Sequence, residues 1–129
     1  MTFTILIVDD EPDAALLFQQ NFRREIRRSK IRFFFEQSGE GALAVLKSDK
    51  TPSVLLVLSD INMPGMSGME LLVKVKSRRP SLPVIMITAY GDERTAEEAV
   101  SKGADRLISK PLDFIELRKT LSTYGEGLQ

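Results

Sequence analysis

The chain has 129 residues, the size of one ordinary domain, and 43% of them are hydrophobic, enough for a real core. It contains no Cys and no His, which excludes disulfides, thiol chemistry, His acid–base catalysis and His-ligated zinc. Lys and Arg number 18, as do Asp and Glu, and a neutral balance gives no support to direct nucleic-acid binding.

The first apolar run, residues 3–8, reads as a strand and stops at Asp9-Asp10. It is too short and too soon interrupted by charge to be a signal peptide. No later run approaches the ~20 residues that span a bilayer, so the expectation is a cytoplasmic domain with no membrane partner. A helix follows Pro12-Asp13, with Ala15, Phe18, Phe22 and Ile26 at helical spacing, and is predicted to end near Ser29. The basic residues Arg23, Arg24, Arg27, Arg28 and Lys30 fit the C-terminus and solvated face of that helix.

Residues 31–35 form an aromatic-rich second strand. Ser38 is placed to cap a second helix carrying Ala42, Leu43, Val45 and Leu46. Residues 54–59 are a third strand that ends at Asp60, followed by a loop from Asn62 to Gly68 with two glycines and a proline. Met63, Met66 and Met69 are assigned to loop packing and core. The third helix runs from about Gly68 to Arg78 and stops before Pro80. Residues 83–87 are the fourth strand, ending at Thr88-Ala89. The fourth helix starts near Asp92 or Glu93 and closes at Gly103. Residues 105–109 are the fifth strand, ending at Lys110-Pro111. The fifth helix is capped by Asp113 and runs to about Tyr124.

Short apolar strands alternating with helices imply right-handed crossovers and a parallel sheet covered on both faces. The expected fold class is α/β, flavodoxin-like, doubly wound from five βα units, with strand order 2-1-3-4-5. Residues 1–124 would form the domain, and residues 125–129 a tail or the start of a linker. Ligands of such sheets bind beyond the carboxyl ends of the strands, at the switch point between strands one and three. Asp9, Asp10, Asp60, Thr88 and Lys110 all sit at strand ends of that one edge. Three carboxylates, a hydroxyl and an ammonium fit a hard cation together with an anion such as phosphate.

Four motifs, in this order, carry a resemblance. They are Val8-Asp9-Asp10-Glu11-Pro12, the segment from Ser59 to Gly68, Ile87-Thr88-Ala89-Tyr90, and Gly103-Ala104-Asp105 leading to Lys110-Pro111. From Phe3 to about Leu121 the chain resembles the receiver domain of bacterial two-component response regulators. The resemblance implies a phosphorelay switch rather than an enzyme. Asp60 would accept a phosphoryl group from a sensor histidine kinase or a phosphotransfer protein. Asp9, Asp10, Asp60 and the backbone carbonyl of Asn62 would hold Mg²⁺. Thr88, the backbone N–H of Ala89 and Lys110 would bind the phosphoryl oxygens, with the Lys110-Pro111 bond cis. Output would pass to an effector domain or a partner protein.

The chain departs from that pattern at two places. Leu107 stands three residues before the lysine, where the family carries an aromatic ring coupled to the threonine, and Leu112 replaces the aromatic that often follows Lys-Pro. Tyr90 stands two residues after Thr88, where it would border the path of hydrolytic water. The last helix lacks the arginine placement associated with dimerising winged-helix regulators. Two other readings compete with this one. A haloacid-dehalogenase-type phosphatase needs a second acid two residues after its aspartate, but that position is Asn62. A receiver used only for protein interaction is opposed by the complete set of acidic and phosphoryl-binding positions and kept open by Leu107.

Overall fold

The computed structural model describes residues 2–48, 53–89 and 91–125. Its elements are β1 (Phe3–Val8), α1 (Asp13–Asn21), α2 (Arg23–Arg27), β2 (Ile31–Glu36), α3 (Gly39–Lys47), β3 (Leu56–Asp60), α4 (Gly68–Arg78), β4 (Val84–Thr88), α5 (Glu93–Ser101), β5 (Arg106–Ser109) and α6 (Phe114–Ser122). All pairings are parallel. The sheet order is β2-β1-β3-β4-β5, the order expected of the flavodoxin-like class.

The central strands β1, β3 and β4 are buried along their whole length. Successive side chains point to opposite faces, so each strand feeds two cores. Ile5, Ile7, Leu58 and Ile87 pack with Phe18 of α1 and with Leu117 and Leu121 of α6. Leu6, Val8, Val57 and Met86 pack with Ala42 of α3, Leu72 of α4 and Ala99 of α5. The aromatic run of β2 splits in the same way. Phe33 and Phe35 join the first core and Phe34 the second. Phe33 meets Phe18 and Phe22 edge-on at 5.6 and 5.4 Å, and Phe18 meets Phe114 at 5.3 Å. Leu107 is half-buried against the second core.

The capping signals act as their chemistry requires. Ser38, Ser67, Asp92 and Asp113 each accept a hydrogen bond from a backbone N–H in the first turn of the helix they precede. Gly103, at φ +105°, follows α5 in a conformation that a side chain would oppose.

Several boundaries differ from the sequence reading. The first helix is not continuous to Ser29: it breaks at Phe22, with φ −115° and ψ 24°. The carbonyl of Asn21 beside the break accepts a hydrogen bond from Arg118 at 2.7 Å. The same guanidinium lies 4.7 Å over the Phe22 ring and forms an ion pair with the buried Glu25. That donor comes from the last helix, so nothing near residue 22 announces the break. β3 begins later and reaches one residue further than expected, so Asp60 belongs to the strand. β4 likewise includes Thr88. The last helix ends at Ser122, with Thr123 and Tyr124 in a closing turn.

Candidate functional site

Asp60 is the last residue of β3 and only 2% exposed. Its Oδ2 accepts a hydrogen bond from Lys110 Nζ at 2.6 Å, and its Oδ1 accepts one from the backbone N–H of Asn62 at 3.1 Å. Both oxygens are therefore oriented. One is held by a cation from the end of β5, the other by a backbone amide of the loop that follows the strand. Hydrogen bonding to Asp60 raises the Lys110 pKa above its ordinary value, against a smaller opposing effect of burial.

β1 delivers Asp9 and Asp10 beside it. One carboxylate oxygen from each of Asp9, Asp10 and Asp60 lies within 4.8 Å of the others. Asp9 Oδ1 accepts from the Glu11 N–H at 2.9 Å, and the Asp9 N–H donates to Glu36 O at 3.0 Å, so the turn after β1 is fixed at both ends. Burial pushes the Asp9 pKa up, and the Asp60 charge pushes it further. The Glu11 N–H and Lys110 act in the opposite direction. A carboxylate so disfavoured in its charged form, next to two more carboxylates, has the donor chemistry of a hard-cation site. These three residues fit Mg²⁺.

Thr88 and Ala89 come to the same edge through strand register. Asp60 pairs with Ile87, the residue before Thr88. The Lys110 N–H donates to Thr88 O at 2.9 Å, which joins the ends of β4 and β5. Thr88 is buried and Ala89 exposed. The Lys110-Pro111 peptide is cis. Asn62 is exposed and adjoins the carboxylates through the N–H bond already described. Tyr90 lies outside the described residues, as do residues 126–129 of the expected tail.

Two contributions to the site escaped the sequence reading. The amide of Asn62 orients Asp60, a role beyond the carbonyl ligand expected of that residue. Gly68 had been read as a helix start, yet it also closes the acceptor loop. Its N–H donates to Ile61 O at 2.8 Å, and a Cβ built on it would collide with the Asp60 carbonyl oxygen and come within 2.7 Å of Ile61 Cα. Only glycine lets α4 start against the backbone of the acceptor strand. The signal was present as a glycine eight residues after the buried aspartate, but the contact depends on how the loop folds back.

Comparison with known proteins bears on the family and the fold. The family model of the response regulator receiver domain matches residues 5–122. The DNA-binding transcriptional regulator NtrC of Salmonella typhimurium is 44% identical over 97 residues, 72% of this chain and 20% of that protein. The response regulator protein FleR of Pseudomonas aeruginosa is 43% identical over 127 residues, 98% of this chain and 25% of that protein. The crystal structure of the receiver domain of NtrX from Brucella abortus superimposes with a TM-score of 0.80 at 32% identity, covering 95% of this chain and 98% of that one. The chain thus spans 20–25% of the length of these curated relatives.

Proposed function

This chain belongs to the response regulator receiver domain family, and from that premise we propose that Asp60 is its phosphoacceptor and that Asp9, Asp10, Asp60 and the Asn62 carbonyl hold Mg²⁺. The observation that carries this reading is the state of Asp60. It is a buried carboxylate with both oxygens oriented and two more carboxylates within 4.8 Å.

The residues divide the work of an in-line phosphoryl transfer. An Asp60 oxygen forms the new bond to phosphorus while the phosphorus–nitrogen bond of a phosphohistidine breaks and the imidazole leaves with the electron pair. Lys110, already 2.6 Å from Asp60 Oδ2, is in place to pair with a phosphoryl oxygen attached there. The Thr88 hydroxyl and the Ala89 N–H donate to the remaining oxygens. Bound Mg²⁺ would neutralise phosphoryl charge. Water later hydrolyses the acyl phosphate, which resets the switch.

In this reading the donor is a sensor histidine kinase or a phosphotransfer protein of the cytoplasm, and the output is an effector domain or a partner protein. The domain itself acts as a switch rather than a turnover enzyme. Among the described residues, no helix is long and apolar enough to cross a membrane.

The test is direct. The protein is incubated with acetyl phosphate and Mg²⁺ and weighed intact. One phosphate adduct is expected, absent in Asp60→Asn and suppressed by a chelator. An adduct that persists in Asp60→Asn, or equal labelling with the chelator present, overturns the assignment.

A further inference from the structure

A second charged surface lies away from the acidic edge and takes no part in the phosphoryl chemistry. Among the described residues, strand β2 ends the sheet and pairs only with β1. The bonds from Phe3 N to Lys30 O and from Asp9 N to Glu36 O, with the register between them, turn the even-numbered residues of β2 toward β1. In a parallel ladder the odd-numbered residues then present their N–H and C=O groups outward. These are Ile31, Phe33 and Phe35, and all three line an open groove of about 550 Å³ between β2 and the α1–α2 segment.

The groove is cationic. Arg23, Arg27 and Arg32 also line it and are exposed. Among the described residues none of the three forms an ion pair, whereas Lys76, Lys102, Lys110, Arg118 and Lys119 all do. Residues 23–32 carry six cations against the single acid Glu25, which is engaged by Arg118. The chain as a whole is neutral, so this is a local concentration of charge. The floor is apolar and fixed, because the Phe33 ring is clamped by Phe18 and Phe22.

We infer that the β2 edge receives an extended acidic segment of a partner protein as a sixth strand of the sheet. The open backbone groups supply the ladder, Phe33 supplies apolar contact, and the arginines meet carboxylates projecting from the added strand. A second copy of this chain is a poor occupant. Pairing β2 with β2 would bring two sets of these arginines together, and the other end strand, β5, presents the exposed Arg106. Like charges along an edge oppose such pairing. A polyanion without a backbone ladder would use the charge but leave the odd-numbered amides of β2 unpaired.

The experiment uses a capped hexapeptide of alternating Glu and Val, titrated into ¹⁵N-labelled protein. The amides of Ile31, Phe33 and Phe35 should shift and become protected from hydrogen exchange. The matching Gln–Val peptide should bind at least tenfold more weakly, as should the acidic peptide to an Arg27→Ala, Arg32→Ala double variant. Both side chains are exposed, and an otherwise unchanged amide spectrum verifies that the variant is folded. Unperturbed β2 amides at millimolar peptide overturn the inference, and so does equal affinity for the Gln–Val peptide. Inorganic polyphosphate that binds the arginines while the acidic peptide leaves Phe33 and Phe35 unprotected would reduce the surface to a general polyanion site and overturn it as well.

Discussion

Replacing Asp9 by Asn removes one charge from the acidic cluster and keeps a side-chain oxygen to accept the Glu11 N–H bond. Two unit charges no more than 4.8 Å apart repel by at least about 3.5 kcal/mol at an effective dielectric near 20. Asp9 is half-buried, and Lys110 offsets part of the repulsion, so the net gain in metal-free buffer should be ~1–2 kcal/mol. For a domain of this size that is roughly 4–7 °C in melting temperature. The pH dependence has a definite sign. Burial and Asp60 raise the folded-state pKa of Asp9, so protonation favours the fold. That stabilisation is complete below the unfolded-state value of about 3.9 and is lost as pH rises through the raised folded value. The advantage of Asp9→Asn is therefore present at neutral pH and disappears in acid.

Thermal melts of both proteins, with chelator and with Mg²⁺, across that pH range, test the reasoning. Mg²⁺ should stabilise the parent and have much less effect on the variant. A variant that melts lower than the parent in metal-free buffer at pH 7, or that keeps the parent's Mg²⁺ affinity, refutes it.

Gly68→Ala should lower stability by ~1–3 kcal/mol through overpacking against the Asp60 backbone, and should slow acetyl-phosphate labelling even where circular dichroism shows the protein folded. Labelling at the parent rate would show that the loop yields without moving Asp60. Lys110→Met should leave the buried Asp60 carboxylate without its cation and cost ~1–3 kcal/mol in chemical denaturation. Because the Lys110 pKa is raised in the fold, the parent's extra stability should hold below about pH 10.4 and fade above it, so the two denaturation curves should converge at high pH; a constant gap would contradict the ion-pair account. Arg118→Met strands the buried Glu25 and removes the donor to Asn21 O, for an expected loss of ~3–5 kcal/mol; restoration by adding Glu25→Gln would confirm an unpaired charge as the cause, and no restoration would point to lost packing on Phe22.

The doubly covered parallel sheet and both its cores were legible because each central strand is a short apolar run with a helical pattern on either side. Leu6 and Ile7 illustrate the reason: adjacent residues, both buried, face opposite layers, which only a doubly covered sheet allows. Caps at Ser38 and Asp113 were legible because the side chain that accepts the bond lies within three residues of the amide that donates it. The break at Phe22 was not, because its compensating donor Arg118 is 97 residues away from Asn21. Helical periodicity continues through Phe22 and Ile26, so local pattern alone predicts a continuous helix. The early end assigned to β3 has another origin. A charged residue normally marks a strand's exit to solvent, whereas Asp60 is buried and still pairs with Ile87.

The same departure from ordinary rules marks the site. A carboxylate at 2% exposure is costly unless paired, and Asp60 has one cation and two acidic neighbours. Packing cannot account for that arrangement, since Ser59 and Thr88 show that the same strand ends accommodate small neutral side chains. Lys110 alone does not balance three carboxylates, so the cluster is short of positive charge as it stands. Elsewhere the protein resolves its buried charge locally: Glu25 meets Arg118, and the half-buried Lys76 meets Asp105 and the Leu82 carbonyl. The acidic edge is thus where the fold itself leaves negative charge unbalanced, and the Asp9→Asn melts measure its cost.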